Sequence, residues 1–265
     1  MSWLSDYCTS RKLEVARRRG LLPERELHTR AFRQAPPIPF AGALRKEHGL
    51  AVIAEIKFRS PSQGELRAQR DVEFVARSYE LNGASALSVL IDGVHFGGRL
   101  DYMEKTRMAT SLPILAKGFL VDTYEVLEAR IARADAVLLI AACLQREELI
   151  AMHELARELG MDALVELHSD EDLRKIEGLP LELIGVNHRN LGTLQMDMDL
   201  TRRLAARLPA GVVKVAESGI VSPEDLGRIQ ALGYDAVLIG TRFMRQADPG
   251  AALHALLSAA PGVLL

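Results

Sequence analysis

The sequence is short of the residues that cross-link a chain, bind metals or enter membranes. Only two cysteines, Cys8 and Cys143, occur in 265 residues, far apart and in no metal-ligand or redox spacing. Neither motif is therefore available, a reducing compartment suits the chain, and both thiols are expected to be structural. Seven histidines are present, but His95, His168 and His188 show no His-x-x-x-His or comparable spacing. They read as ordinary loop or core residues, and no metal site is expected. The N-terminus carries a tryptophan but no apolar signal-like run, and no apolar stretch approaches the roughly 18 residues of a membrane span. A cytoplasmic chain without a membrane partner is expected. A surplus of charge is also missing: 33 basic residues face 35 acidic ones, for a net charge of -2. Nothing global draws such a chain to nucleic acid, so any anion must be met locally.

What is present is enough for one large core. With 48% hydrophobic and 26% charged residues, the length suits a single α/β barrel domain over residues 1–265. Short β-branched runs recur with amphipathic stretches between them, the pattern of parallel strands covered by helices. The runs are 52–56, 86–90, 113–116, 136–140, 163–166, 183–186, 212–216 and 236–239. About eight such strands close a (β/α)8 (TIM) barrel.

Helix punctuation falls between them. Ser222-Pro223-Glu224-Asp225 reads as an N-cap followed by proline at the first helical position, and Gly233 as the matching stop. Asp71, Asp122 and Asp248 are similar caps. From Gln145 to Gly160, the residues Leu149, Met152, Leu155, Ala156 and Leu159 share one face of a covering helix. Residues 1–49 do not fit the repeat. They read as an N-terminal helical extension packed on the barrel, joined by the stiff connector Ala35-Pro36-Pro37-Ile38-Pro39-Phe40. Its run Arg17-Arg18-Arg19 is expected to be a solvated helix face.

Parallel apolar strands have no need of ionisable ends, and burying one is costly unless it is paired or solvated. Yet nearly every strand here ends in one: Glu55 and Lys57, Asp92, Lys117, Glu166, Asn187 with Arg189, and Glu217 with Ser218. In a barrel these converge on the C-terminal face, where lysines and carboxylates at close quarters can supply a general acid and a general base. Ser218-Gly219-Ile220 after the seventh strand and Gly240-Thr241 after the eighth have the composition of a barrel phosphate site. A phosphorylated small molecule is the expected partner, and Phe58, Phe96, Phe119 and Leu191 are candidate apolar walls.

Ala54-Glu55-Ile56-Lys57 followed by Ser60-Pro61-Ser62-Gln63-Gly64 resembles the first-strand signature of the indole-3-glycerol phosphate synthase family. Lys117-Gly118-Phe119, Leu164-Val165-Glu166, Gly185-Val186-Asn187-His188-Arg189-Asn190-Leu191, Ala216-Glu217-Ser218-Gly219-Ile220 and Leu238-Ile239-Gly240-Thr241 resemble its later motifs, in order over about residues 45–250. The resemblance implies closure of 1-(2-carboxyphenylamino)-1-deoxyribulose 5-phosphate to indole-3-glycerol phosphate, with loss of carbon dioxide and water. No metal or organic cofactor is implied. Lys117 would protonate the ribulose carbonyl, Glu166 would handle a proton in decarboxylation or dehydration, and Lys57 would bind the carboxylate or act as second acid. Glu55, Asn187 and Glu217 would orient hydroxyls and lysines. Ser218, Gly219, Gly240 and Thr241 would hold the phosphate, with Ser60, Phe96, Phe119, Arg189 and Leu191 as further binding residues. A monomer or weak homo-oligomer is expected.

The chain departs from the family pattern at Gly118, where aspartate is usual, at Ile91 and Arg99 for threonine and serine, and at Gln63 for lysine. These departures leave open a paralogue acting on a modified anthranilate-derived substrate, a different phosphosugar barrel, or a non-catalytic phosphosugar-binding barrel.

Overall fold

The computed structural model describes residues 3–61 and 63–259. Ser62 of the first-strand motif and the outermost residues of the expected domain, 1–2 and 260–265, lie outside the described residues. Eight parallel strands form a closed barrel: β1 Ala51–Ile56, β2 Ala86–Leu90, β3 Ile114–Lys117, β4 Ala136–Ile140, β5 Asp162–Leu167, β6 Leu183–Asn187, β7 Val213–Glu217 and β8 Ala236–Ile239. Helices cover each crossover, so the (β/α)8 expectation holds. Four strands end one residue beyond the hydrophobic runs, β5 at Leu167 and three others at polar residues. Lys117, Asn187 and Glu217 are the last residues of β3, β6 and β7, because the parallel ladder continues through the pairs Leu90↔Lys117 and Asn187↔Glu217.

The two-residue period of a strand decides what these ends face. Ala51 and Ile53 on β1, Leu115 on β3, Leu164 on β5, Leu183 on β6, Val213 and Val215 on β7 and Leu238 on β8 fill the barrel interior. Glu55, Lys117, Glu166, Asn187 and Glu217 share the parity of these inward residues, so each polar end emerges at the mouth. The alternate residues, such as Val52, Ala54, Ala116, Val165 and Ala216, pack outward against the helices.

The expected caps are all made. Asp71 accepts from the Phe74 N–H, Asp122 from Tyr124, and Asp248 from Gly250 and Ala251, while Ser222 and Asp225 form a reciprocal capping box. Each such cap is worth about 1 kcal/mol. Helix Arg146–Glu158 buries Leu149, Met152 and Ala156 as its periodicity requires, and Gly233 takes the left-handed φ of +77° after helix Pro223–Ala231.

The extension runs from the mouth of the barrel to its lower end as α1 Trp3–Leu21, α2 Glu24–Phe32 and α3 Phe40–Leu44. Phe40 and Leu44 of α3 close the lower end of the interior core. The connector is fixed there by the carboxylates that open β5 and the turn before β4: Asp162 accepts from the N–H groups of Phe40 and Ala41 at 2.8 and 2.9 Å, and Asp135 from Ile38 at 2.8 Å. Helix α2 packs on helix Thr123–Ile131, and α1 runs along the same side. Here the expected solvated face of Arg17-Arg18-Arg19 needs correction. Arg17 is exposed, but Arg18 pairs with Glu14, Glu125 and Glu128, and Arg19 with Glu24 and Asp122. Glu14 and Glu24 are local partners, but Asp122, Glu125 and Glu128 lie about a hundred residues away, so only docking of the helices reveals them. The same docking brings Cys8 of α1 beside Cys143, where hydrogen bonding between the thiols lowers the pKa of Cys8 and raises that of Cys143.

Candidate active site

A cavity of about 480 Å³ opens at the C-terminal mouth, and its lining includes all six acid–base candidates and all nine binding candidates singled out from the sequence. At its floor, Lys117 Nζ donates to Glu166 Oε2 at 3.1 Å and to Glu217 Oε2 at 2.6 Å. Both carboxylates are almost wholly buried, at 2% and 1% exposed. Burial opposes the Lys117 ammonium, but Glu166, Glu217 and Glu55 outweigh it and hold its pKa well above the ordinary lysine range. Burial likewise opposes the Glu166 carboxylate, and Lys117 and His168 overcome it, so its pKa falls well below the usual value. Glu217 goes the other way, because burial and the neighbouring Glu166 both favour its neutral form. One ammonium between two buried carboxylates thus pushes the pair in opposite directions, Glu166 toward its ionised form and Glu217 toward its neutral one.

Lys57, at the top of β1, forms an ion pair with Glu55 of the same strand. Two glycines make room for these carboxylates. A Cβ on Gly185 would lie 2.4 Å from Glu217 Oε1, and one on Gly240 only 2.1 Å from Glu55 Oε2 and 2.8 Å from Glu55 Cβ. Gly240→Ala is therefore expected to displace Glu55 and with it Lys57, lowering turnover about tenfold or more while leaving the barrel folded. Steady-state kinetics beside a melting curve checks this. Asn187 accepts from the Arg189 N–H at 3.0 Å, which fixes its amide at the mouth.

The facing side of the mouth is built largely from backbone. Ser218 and Gly219 are consecutive residues with left-handed φ, +66° and +71°, which turns the chain sharply after β7. Serine adopts such a φ at a cost of about 1–2 kcal/mol. His188 holds the loop, since its Nδ1 lies 2.8 Å from the Ser218 carbonyl and its Nε2 2.9 Å from the Thr201 hydroxyl. A carbonyl can only accept, so Nδ1 donates and Nε2 accepts, and burial, which lowers the His188 pKa, suits that neutral ring. Across the mouth, Gly240 precedes the short helix Thr241–Met244, whose first N–H groups have no helical partner. Arg242 donates to the Val221 carbonyl and Arg245 also lines the cavity.

Phe96, Phe119 and Leu191 form the apolar side as expected. Phe58 does not: it is buried in the outer core, edge-on to Tyr102 at 5.7 Å. Asp92 does not join the ring either. It is buried away from the cavity and accepts a hydrogen bond from Tyr7 of α1. The residue that the sequence reading missed is Trp3, which lines the cavity, stacks on Tyr7 at 5.4 Å and meets Phe119 edge-on at 6.1 Å. A single tryptophan near the start of α1 carries no sequence signal for this, because the contact depends on where the extension docks.

Gly118 and Ile91 prove to be one packing unit. A Cβ at residue 118 would lie 2.9 Å from Ile91 Cγ1, so the isoleucine occupies the space of a larger side chain. Lys57 finds its counter-ion in Glu55 instead. Gln63 lines the rim of the cavity, and Arg99 is exposed and paired with Asp101.

A buried ammonium–carboxylate triad beside two glycine-containing loops, at the C-terminal mouth of a (β/α)8 barrel, defines a site of the acid–base class that barrel enzymes carry. Comparison with known proteins narrows that class. The family model for indole-3-glycerol phosphate synthase matches residues 4–256, and the chain belongs to that family. It is 40% identical over 263 residues to the indole-3-glycerol phosphate synthase of Kineococcus radiotolerans, spanning 98% of this chain and 96% of that protein. It is 41% identical to the enzyme so named from Rhodopirellula baltica, over 97% of this chain and 100% of that one, and 43% identical to that of Rhodospirillum rubrum, over 96% and 98%. Among solved structures, 3-hexulose-6-phosphate synthase from Salmonella typhimurium superposes with a TM-score of 0.62 at 13% identity, covering 78% of this chain and 96% of that one. Thiamine phosphate pyrophosphorylase from Pyrococcus furiosus gives 0.59 at 16%, covering 83% and 96%. These two likenesses show the fold alone. Among the described residues no helix is long and apolar enough to cross a membrane.

Proposed function

We propose that the triad and its neighbours divide the family's reaction, the decarboxylating and dehydrating ring closure to indole-3-glycerol phosphate, into acid and base roles. The observation that carries this is the buried Lys117 ammonium held between Glu166 and Glu217 at 3.1 and 2.6 Å. Closing the ring requires a proton at the ribulose carbonyl oxygen, and Lys117 is the charged donor. The attacking ring carbon carries the carboxylate, so breaking that C–C bond releases carbon dioxide and restores the benzene ring; the new hydroxyl then leaves as water while the adjacent carbon loses a proton, for which Glu166 is the ionised base. Glu217, carrying a proton, and Asn187 orient the lysine and the substrate hydroxyls. Lys57, steadied by Glu55, receives the substrate carboxylate. Ser218, Gly219, Gly240 and Thr241 cradle the phosphate, with Ser60 and Arg189 at the rim, while Phe96, Phe119 and Leu191 hold the aryl group. These steps are proton transfers and bond reorganisations within the substrate, which call for neither a metal nor an organic cofactor.

Ile91 fills the space that Gly118 leaves, so the glycine does not enlarge the cavity. This favours the unmodified carboxyphenylamino substrate over one with an added ring substituent. The balanced charge and the free thiols support a cytoplasmic chain that is monomeric or weakly self-associating. Purified protein incubated with 1-(2-carboxyphenylamino)-1-deoxyribulose 5-phosphate is expected to develop indole fluorescence. Binding of the intact substrate without product would reduce the chain to a phosphosugar-binding barrel.

A further inference from the structure

His168 stands two residues beyond Glu166 and is left over by the roles above. Its side chain is 4% exposed, and Nε2 lies 3.0 Å from Glu166 Oε1, the oxygen that does not face Lys117. Neither ring nitrogen has an aligned hydrogen-bond partner among the described residues. The backbone that carries the ring is nevertheless held in place. Asp172 accepts from the His168 backbone N–H at 2.8 Å, and Ser169 caps the helix that carries Asp172. A buried ring whose Nε2 sits 3.0 Å from a carboxylate oxygen without an aligned hydrogen bond to it is costly, and its closeness to that carboxylate indicates when the cost is recovered.

We propose that His168 is a positioning residue that steadies the Glu166 carboxylate through Oε1 while Lys117 is giving its proton to the substrate. The inference rests on Glu166 acting as the base. When Lys117 Nζ transfers its proton to the carbonyl oxygen, the lysine becomes neutral and Glu166 loses its nearest cation. An N–H at Nε2, 3.0 Å away, then becomes the remaining close donor to that carboxylate. Only a small rotation of the ring or the carboxyl group is needed to align it. The groups facing Glu166 are Lys117 from β3, Glu217 from β7 and His168. Cys143, on the turn after β4, and Asp172, from helix Asp170–Ile176, stand near the same cluster.

Two variants separate this role from packing. His168→Leu removes the donor and is expected to lower kcat about ten- to a hundredfold with KM nearly unchanged. It should also move the acid limb of the kcat profile to higher pH, because a carboxylate without its donor holds its proton more tightly. His168→Gln keeps an N–H donor at similar reach and is expected to restore most of kcat and the original limb. Unchanged kinetics in the leucine variant, or equal losses in both variants, would overturn the proposal. In a Glu166→Gln background the leucine change should add nothing, and an additive loss would overturn it as well. Full activity of Glu166→Gln alone would instead defeat the assignment of Glu166 as base, whatever the histidine variants show.

Discussion

Lys117→Ala is expected to lower kcat by about a thousandfold or more, since it removes both the proton donor and the positive charge beside the reacting carbonyl. KM should change far less, because the phosphate cradle and the aromatic wall are untouched. The same change leaves Glu166 and Glu217 buried without their cation. Removing one partner of such a group costs about 3–5 kcal/mol when nothing replaces it, so a lower melting temperature is expected as well. Its pH dependence has a definite sign. With the lysine gone, burial raises the pKa of Glu166 above its unfolded value. The folded state then binds protons that the unfolded state has released, and stability present at low pH is lost as pH rises through the raised pKa. The deficit in melting temperature should therefore be larger at pH 8 than at pH 5. A variant that keeps wild-type turnover would remove Lys117 from the mechanism.

Glu166→Gln and Glu217→Gln are expected to differ sharply although both carboxyl groups touch the same ammonium. Glu166 is held ionised by Lys117 and His168 against its burial, so an amide cannot take its place as base. A loss of about a hundred- to ten-thousandfold in kcat is expected. Glu217 is held in its neutral form by burial and by Glu166. A neutral amide of the same shape can still accept from Lys117 through its carbonyl oxygen, and a loss of less than about tenfold is expected. Single-turnover formation of indole product measures both. Equal losses would show that both glutamates work as anions, and the assignment of the proton to Glu217 would be wrong.

These two predictions rest on a distinction that the linear sequence cannot make. Glu166 and Glu217 both follow an apolar run and both match a family motif, yet their environments push them in opposite directions. Lys117 lies between them, and His168 stands against only one. The sequence also fails to separate Gly240 as part of an anion loop from Gly240 as the gap that admits the Glu55 carboxyl group. That second requirement comes from β1 and β8 being neighbours across the barrel seam, with Ala54 paired to Ile239.

Much of the architecture was legible because it follows from local rules. Strand and helix periods differ, caps and turn glycines mark the boundaries, and the parity of each strand aligns Glu55, Lys117, Glu166, Asn187 and Glu217 with the inward apolar residues. The misplacements came where a contact crosses a long separation. Phe58 faces the outer core, and Asp92 is taken up by Tyr7 from α1. Trp3 joins the aromatic wall from the far end of the extension.

By itself, then, the sequence determined the barrel, its ring of polar strand ends and the family to which the chain belongs, because each depends on residue type and spacing along one segment. The tertiary structure alone decided which glutamate is pushed toward its neutral form, how Ile91 fills the space beside Gly118, and how α1 brings Trp3 to the mouth. Those outcomes depend on burial and on distances of a few ångströms between segments that the chain order leaves far apart, and electrostatic and packing energies change steeply over such distances.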